Sequence, residues 1–465
     1  MDKQMIDRFL DVYRTEYLDD IMKLIRIRSV SVPSSGGKYP FGDGCAQVLD
    51  TALSLGKEMG FATENHDYYC GSILMPGTAV GEIGMFAHLD IVPEGEGWLQ
   101  PPYIPYIKDG WLYGRGSSDN KGPAVTALYA MRCLQKSGIR LRHTVRLFLG
   151  CSEENGMSDI DYYLKRVPAP EYSFVPDASF SVCYSEKGIL ELEFTSPLPA
   201  GVADFTAGEA WNMVAGNAYA LVDTIQGELP EVNKERCPGV VVREQDGMLR
   251  VEAAGKSAHA AFPEGSINAS VMLADYLCGH PFLTDKAKRT LAFLSECFEN
   301  YYGEALGIAY DGGPLGKLTI VAGMTRTEDG KIRQNVNIRY PAGVNAEKMM
   351  ERLNTAAASY GWSMRTVRHE EPAYVSPDSP FVKTLDHICK QRLGEAFGPY
   401  TMGGATYARK LPNAVAFGPS IKGQKKPGPD GHGGGHQPDE CVRIQGLEDA
   451  LHIYVQSLLA LDEIF

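Results

Sequence analysis

The sequence predicts an α/β protein with a mixed, largely parallel sheet flanked by helices, and with an α+β domain inserted into the chain. Helix-like and strand-like patterns alternate in the first part of the chain, and this alternation changes after Asp177. Polar residues of the kind that follow the early strands return only near the C-terminus, at His436. We therefore expect one discontinuous domain of residues 1–181 and 378–465 and an inserted domain of residues 182–377.

The first domain opens with apolar residues at helical spacing and continues with short apolar runs typical of buried strands. A glycine-rich turn then precedes another helical segment, and a strand with alternating polar and apolar residues follows it. The predicted elements are helices over 5–27, 45–60 and Lys121–Ser137, strands near 72–76 and 83–87, and a strand within HTVRLFLGCSEE.

The inserted domain is expected to contain strands and helices in irregular order, which is typical of an α+β domain. These elements are strands over Gly188–Phe194, Val240–Ala253, Lys317–Thr325 and Lys331–Tyr340, and helices over Asn268–Cys278, Lys286–Phe298 and Ala346–Tyr360. Three prolines predict a linker over Pro372–Pro380, and glycines and prolines predict a loop over Lys422–Gly435. A helix is expected to begin at Gln437 to Glu440, just after His436.

Composition narrows the possible partners. The chain of 465 residues has 45 basic and 58 acidic side chains, and its net charge of −13 repels nucleic acid and anionic membranes. The ten cysteines form no Cys-x-x-Cys motif, which indicates reduced thiols rather than disulfides or structural zinc. The N-terminal segment has charges throughout and no long apolar run, so we expect a cytoplasmic protein.

Metal-binding side chains stand at five separate places, each at the end of a strand-like run or in a glycine-rich turn. They are His88 in FAHLD, Asp119 in GRGSSDNKG, Glu153-Glu154 in GCSEEN, Asp177 in VPDAS and His436 in GGGHQPDE. Zinc favours mixed imidazole and carboxylate ligands, and a carboxylate between two ions can bridge them. This pattern predicts a metallohydrolase with two metal ions.

Each of these residues also has a simpler interpretation. His88 would be an ordinary strand-end histidine, although Asp90 lies on the same side of an extended strand and can orient its imidazole. Asp119 would be a helix N-cap, and Asp177 a turn residue after proline. The adjacent Glu153 and Glu154 would form a solvated acidic turn, and His432 competes with His436 for a metal role.

The inserted domain contributes two candidates of another kind. Lys256 and Ser257 imitate part of a phosphate loop, but the first glycine of that motif is replaced by Arg250. His259 is instead a candidate donor to an oxyanion, or else a structural histidine. Arg339 can bind a substrate carboxylate with its guanidinium group, or else forms a surface salt bridge.

Together these motifs resemble the co-catalytic zinc hydrolases, which include aminoacylases, acetylornithine deacetylase, succinyl-diaminopimelate desuccinylase and glutamate-releasing carboxypeptidases. Within that superfamily the chain is most similar to the PepV-type dipeptidases. The resemblance covers nearly the whole chain and is carried by HLDIVPEGEGW, GRGSSDNKGP, SEEN, VPDASF, GKSAHAAFPEGSINA, NVNIRYP, GGATYARKLPNAVAFGP and HQPDE.

The resemblance implies a role for each candidate. His88 and Asp177 would hold one zinc ion, Glu154 and His436 the other, and Asp119 would bridge them. The remaining roles implied are Glu153 as general base, Asp90 as the residue that orients His88, His259 as a lid histidine, Arg339 and Asn212 as substrate-binding residues, and Met402 to Arg409 as a loop around the far end of the substrate. The glycine-rich approach to His436 departs from the usual pattern, which leaves His432 as an alternative ligand.

The implied activity is hydrolysis of dipeptides that have a free amino and a free carboxyl end. An N-acyl amino acid deacylase is the alternative, and a non-catalytic binding protein on the same scaffold is a second one. The implied cofactors are two divalent ions, zinc first and manganese or cobalt next. The long inserted domain favours a monomer that completes its own site, with a dimer as the alternative.

Overall fold

The fold is described from a computed structural model, which describes residues 3–34, 36–223, 232, 235, 237–281 and 283–465. The chain forms two compact units. The first unit consists of Met1–Tyr184, Tyr374–Tyr400 and Ala405–Phe465, and the second unit of Ser185–Ala373 and Thr401–Gly404. The short segment Thr401–Gly404 has no counterpart in the domain division expected from the sequence.

The first unit is built from helices and a mixed sheet, with several short strands outside that sheet. Its helices are Lys3–Ile25, Asp43–Glu58, Lys121–Lys136, Ser158–Leu164, Pro380–Leu393, Ile444–Ile464 and the short 3-10 helix Tyr407–Lys410. Its strands are Ala62–His66, Cys70–Met75, Glu82–His88, Tyr106–Lys108, Trp111–Tyr113, Thr144–Gly150, Tyr172–Val175, Ala178–Phe180, Ala414–Phe417, Pro419–Ile421 and Cys441–Arg443. Three further strands begin in one unit and end in the other. They are Val182–Glu186, Ala373–Tyr374 and Tyr400–Met402.

The centre of this sheet is parallel, as the fold class requires. Strand Glu82–His88 lies between Thr144–Gly150 and Tyr172–Val175 and is parallel to both. Ala414–Phe417 then pairs in parallel with Tyr172–Val175, whereas Cys70–Met75 is antiparallel to Thr144–Gly150. Because parallel strands end at the same edge of a sheet, the residues that follow His88, Gly150 and Val175 are brought together.

Apolar burial explains why these strands form the core. All residues of Glu82–His88 after Glu82 are buried, and the same holds for Thr144–Gly150 after Thr144. Continuous apolar runs are typical of strands covered on both faces. Helix Lys121–Lys136 packs on Glu82–His88 and on helix Ile444–Ile464.

In its described residues, the second unit contains an antiparallel sheet of eight strands and three α-helices. In order across the sheet, the strands are Val240–Gln245, Met248–Ala254, Asn217–Asp223, Val202–Ala207, Thr319–Glu328, Lys331–Tyr340, Gly188–Pro197 and Ser363–Glu370. The helices are Ala269–Cys278, Asp285–Cys297 and Ala346–Ser359, with the 3-10 helix Gly313–Leu315. Leucine, phenylalanine and valine side chains from both layers form one apolar core.

Two local predictions were wrong, namely the single strand over Val240–Ala253 and the helix after His436. The strand expected over Val240–Ala253 is a hairpin, because Asp246 and Gly247 adopt φ angles of 49° and 76°. An Asp-Gly pair with two positive φ angles is the usual two-residue hairpin turn.

The expected linker includes the sequence limit between Ala373 and Tyr374 that separates the two units. It contains the short strand Ala373–Tyr374, and Pro380 begins a helix that Ser379 caps by accepting the backbone N–H of Val382. The segment after His436 begins no helix at Gln437 to Glu440. It leads into the strand Cys441–Arg443, and the next helix begins at Ile444.

Within the described part of the chain, none of the helices combines the length and the apolar character needed to cross a membrane. Among the same residues, the cysteines form no disulfide, and all of them except Cys278 are buried.

Candidate metal centre

His88 ends a buried strand, and its imidazole is held in one orientation. Its Nδ1 atom donates to the carbonyl oxygen of Asp90 at 2.9 Å. This hydrogen bond leaves Nε2 as the metal-binding nitrogen of the neutral ring. Nε2 lies 3.0 Å from Asp119 Oδ1 and 3.6 Å from Asp177 Oδ2.

A second imidazole faces the other oxygen of Asp119. His436 Nε2 lies 3.2 Å from Asp119 Oδ2 and 2.9 Å from Glu154 Oε1. Residue 435 is glycine, and a Cβ atom there would lie 2.9 Å from Asp119 Oδ2 and crowd this carboxylate. Asp119 thus has one carboxylate oxygen directed at each histidine, which is the arrangement of a bridging ligand.

The donor atoms form two overlapping groups that share His88. One group contains His88, Glu153 and Asp177, and the other contains His88, Asp119 and Glu154. Within each group the atoms available for binding lie within 4.8 Å of one another. Imidazole nitrogens and carboxylate oxygens at such spacing can hold a divalent cation such as zinc or manganese.

The charges at this centre favour bound cations. Hydrogen bonds to Asp119 and Glu154 raise the pKa of His436 to about 11. Burial raises the pKa of Glu153 well above its usual range, and Asp177 and Glu154 add to this effect while His88 opposes it. Carboxyl groups outnumber imidazoles at this centre, and divalent ions would neutralise the excess of negative charge. The groups are the carboxyls of Asp119, Glu153, Glu154 and Asp177 and the imidazoles of His88 and His436. The residues present therefore fit a metal centre.

Glu153 differs from its neighbours in its contacts. Among the described residues, no hydrogen-bond partner reaches its buried Oε1 atom. A buried carboxylate oxygen without a partner costs about 1–3 kcal/mol or more, so such a group requires an explanation. A substrate, a water molecule or a metal ion would supply the missing partner.

Asp90 has two separate roles in this geometry. Its carbonyl oxygen, not its carboxylate, makes the shorter contact with His88, since Asp90 Oδ1 lies 3.5 Å from Nδ1. Its carboxylate accepts the backbone N–H groups of Glu153 and Glu154, both at 3.1 Å. Asp90 therefore contacts both His88 and the turn that carries the two glutamates.

Two residues that were not predicted from the sequence contact Asp177 and the backbone of Asp119. The Nδ2 atom of Asn120 donates to Asp177 Oδ1 at 3.1 Å, and its Oδ1 accepts the backbone N–H of His88 at 3.3 Å. Glu440 is fully buried and accepts backbone N–H groups of the loop before Asn120, including that of Asp119 at 3.0 Å. Both residues lie inside quoted motifs, GRGSSDNKG and HQPDE, but no spacing rule assigns them these contacts.

Asp119 is not the N-cap of the helix that follows it, and His432 contacts Asp439. The residue that precedes helix Lys121–Lys136 is Asn120, and no side-chain cap forms there. His432 Nδ1 lies 2.6 Å from Asp439 Oδ2, and the other carboxylate oxygen of Asp439 accepts the backbone N–H of Leu99. His436, rather than His432, contacts Asp119 and Glu154.

The remaining candidates lie in the second unit. Asn212 Nδ2 lies 3.5 Å from His259 Nε2, and His259 Nδ1 accepts the backbone N–H of Ala261 at 3.2 Å. With Nδ1 as acceptor, the neutral ring carries its proton on Nε2, which then lies beside Asn212 Nδ2 without accepting a hydrogen bond from it.

Arg339 is largely buried in the strand Lys331–Tyr340. It donates to Asn337 Oδ1 at 2.9 Å and to the carbonyl oxygen of Gly403 at 3.4 Å. The structure therefore brings Asn212 and His259 together and gives Arg339 separate partners.

Comparisons with known proteins agree with this architecture. The sequence profile of peptidase family M20/M25/M40 matches residues 84–460. The Beta-Ala-Xaa dipeptidase of Lactobacillus delbrueckii subsp. lactis is 32% identical over 458 residues, which are 96% of this chain and 95% of that protein.

Two solved structures share the fold. Human carnosine dipeptidase 1 has a TM-score of 0.61 and 14% identity, and the match covers 99% of this chain and 98% of that one. An M20 family metallo-carboxypeptidase from Sulfolobus solfataricus has a TM-score of 0.57 and 15% identity, with 97% and 100% covered. At such identities these two likenesses are evidence for the fold alone.

Proposed function

The chain belongs to peptidase family M20/M25/M40, and on this premise we propose that it is a metal-dependent dipeptidase. The observation that carries the proposal is the position of Asp119 between His88 and His436, with Asp177 and Glu154 on the two sides. In this proposal His88 and Asp177 hold one divalent ion, Glu154 and His436 hold the other, and Asp119 is shared. Zinc is the proposed metal, with manganese or cobalt as alternatives.

Bound at these positions, the two ions would polarise the peptide carbonyl and lower the pKa of a water molecule. Glu153 accepts the proton of the attacking water and returns it to the leaving amine, which requires a carboxylate near the reacting atoms. Its position next to Glu154 and its unpartnered Oε1 atom support this role. Asp90 holds both His88 and the turn that carries Glu153.

The second unit supplies the proposed contacts to the substrate. His259 donates from Nε2 to the oxyanion that forms on the carbonyl oxygen, and Asn212 lies beside it. Arg339 binds the carboxylate end of the substrate through its guanidinium group. The proposed domains are a catalytic domain of residues 1–181 and 378–465 and an inserted lid domain of residues 182–377.

The substrate class follows from these contacts. A dipeptide has a carboxylate for Arg339 one residue beyond the scissile bond, and its free amino group is attracted to the acidic centre. The Lactobacillus relative is named for dipeptides that begin with β-alanine, and we include such dipeptides among the proposed substrates. We further propose that the protein acts as a monomer in the cytoplasm, where its buried cysteines stay reduced.

A substrate panel tests this function against deacylase activity. The metal-reconstituted protein is assayed with α-dipeptides, β-alanyl dipeptides, tripeptides and N-acyl amino acids, and kcat/KM is compared. Dipeptides with both ends free are expected to give the highest values, and a chelator is expected to abolish them. Higher values for N-acyl amino acids would favour the deacylase, and hydrolysis of none of these substrates would favour a binding protein.

A further inference from the structure

Four successive backbone N–H groups after strand Thr144–Gly150 donate to two buried carboxylates. Asp159 Oδ2 accepts those of Cys151 at 2.7 Å and Ser152 at 2.8 Å. Asp90 accepts the next two, those of Glu153 and Glu154. The segment Cys151–Glu154 belongs to no helix or strand. The two carboxylates therefore accept the N–H groups that backbone carbonyl oxygens would accept in a regular element.

Tyr407 is a further partner of Asp159, whose Oδ1 atom also accepts the backbone N–H of Ile160 at 2.8 Å. The Tyr407 hydroxyl group donates to Asp159 Oδ2 at 2.5 Å, and both side chains are 0% exposed. The ring of Tyr407 packs edge-to-face on Phe148, with centroids 5.4 Å apart. A hydrogen bond to a buried carboxylate is stronger than one between neutral groups, so this contact restrains Asp159 firmly.

The chain is built to allow this close approach. Residue 150 is glycine, and a Cβ atom at this position would collide with the Tyr407 hydroxyl group and with Asp159 Oδ2. Any larger residue there would separate Tyr407 and Asp159 from the end of the strand. The contact therefore depends on the sequence of three separate segments, namely Gly150, Asp159 and Tyr407.

We propose that Asp159 and Tyr407 are positioning residues that fix the turn Cys151–Glu154, and through it the orientation of Glu153 and Glu154. Neither residue is among the groups available for metal binding at the centre. The proposal rests on the proposed function for the role of Glu153, but its consequence for Glu154 concerns metal binding and can be measured without a substrate. Partners that orient metal ligands typically contribute about 10–100-fold to metal affinity or to activity.

The alternative is that Tyr407 only fills the apolar core. Tyr407→Phe separates the two explanations because it keeps the ring on Phe148 and removes only the hydroxyl group. Tyr129→Phe is the matched control, since Tyr129 also donates to a buried carboxylate of the same unit, that of Asp20, at 2.7 Å. Asp20 lies in helix Lys3–Ile25, and its hydrogen bond with Tyr129 does not involve the turn Cys151–Glu154.

The experiment measures zinc affinity by competition with a chromogenic chelator, together with kcat and KM for a dipeptide and the melting temperature. For Tyr407→Phe we expect zinc affinity and kcat to fall about 10-fold or more each, with KM within about twofold of wild type. For Tyr129→Phe we expect both to stay at wild-type values, even where the melting temperature falls as much. Asp159→Asn, which removes the charge and keeps the side-chain size, is expected to change zinc affinity in the same direction as Tyr407→Phe.

Wild-type zinc affinity in both Tyr407→Phe and Asp159→Asn would overturn the proposal. An equal loss of zinc affinity in Tyr407→Phe and Tyr129→Phe would also overturn it, because the effect would then come from general destabilisation. If the wild-type protein hydrolyses no dipeptide but Tyr407→Phe still loses zinc affinity, the proposed function fails and the positioning of Glu154 stands.

Discussion

His436 Nε2 lies 2.9 Å from Glu154 Oε1, although 282 positions separate the two residues in the chain. Both belong to the first unit, which is made of separate parts of the sequence. Glu154 follows a central strand of the mixed sheet, and His436 lies in the loop before Cys441–Arg443. A metal centre assembled in this way forms only when the first unit has folded, so binding of metal ions should stabilise that unit.

Glu153→Gln should lower turnover strongly without removing the metal ions. The amide keeps the size of the side chain but cannot accept the proton of the attacking water, so kcat should fall about 100- to 10,000-fold. Steady-state kinetics and elemental analysis measure the two effects. Glu448→Gln is the control, because Glu448 is another buried acid of the first unit and pairs with Arg14 at 2.6 Å. A rate for Glu153→Gln close to that of the control would remove Glu153 from the role of general base.

His436→Ala and His432→Ala should differ in metal content. Loss of the His436 imidazole removes the nitrogen that faces Asp119 and Glu154, so the variant should retain about one ion fewer per chain. His432→Ala loses a contact with Asp439 and should keep the wild-type metal content. Elemental analysis after gel filtration distinguishes the two variants. The reverse result would identify His432 as the ligand.

Asn120→Ala should weaken metal binding although Asn120 is not proposed as a ligand. Its side chain donates to Asp177 and accepts from the backbone of His88, so its loss frees both groups of one proposed ion site. We expect an affinity decrease of about 10–100-fold in a chelator competition. An unchanged affinity would show that Asp177 and His88 are fixed by other contacts.

Asp462→Asn should lower stability in a pH-dependent way, far from the metal centre. Burial opposes ionisation of Asp462, but hydrogen bonds from the backbone of Arg142 and His143 and from the His143 ring lower its pKa overall. A folded-state pKa below the unfolded value means that the charged form stabilises the fold above pH about 4, and that this contribution is lost as the pH falls through the lowered pKa.

Chemical denaturation should therefore show a loss of about 1–3 kcal/mol for Asp462→Asn at pH 7. The difference from wild type should shrink steadily as the pH is lowered below about 4. A difference that stays constant over this range would mean that the contribution of Asp462 does not depend on its charge.

The sequence predicted the fold class because continuous apolar runs and helical periodicity are local properties. The strand ending at His88 was found from its apolar run, and the strand ending at Gly150 from its alternation of polar and apolar residues. The hairpin at Asp246 and Gly247 was missed because its two strands are joined by only two residues, although an Asp-Gly pair is a recognised turn signal. The short strands Ala178–Phe180 and Cys441–Arg443 have too few residues for a periodicity to show.

The sequence indicated the candidate metal-binding residues but not the residues that contact them. Residue types that bind metals, placed at strand ends or in a glycine-rich turn, made His88, Asp119 and Asp177 candidates, and the family resemblance gave them their proposed roles. The contacts of Asn120 and Glu440 could not be predicted, because they depend on how separate loops approach one another in the folded unit. The same reason kept Tyr407 and Asp159 hidden, since 248 positions separate them.

The central claim is that the acids and imidazoles of the first unit hold two divalent cations. A crystal structure of the zinc-reconstituted protein, with anomalous differences measured at the zinc edge, tests it most directly. We predict two peaks per chain, one beside His88 and Asp177 and one beside Glu154 and His436, with Asp119 between them. Zinc peaks only at other positions, or none in the fully reconstituted protein, would contradict this account.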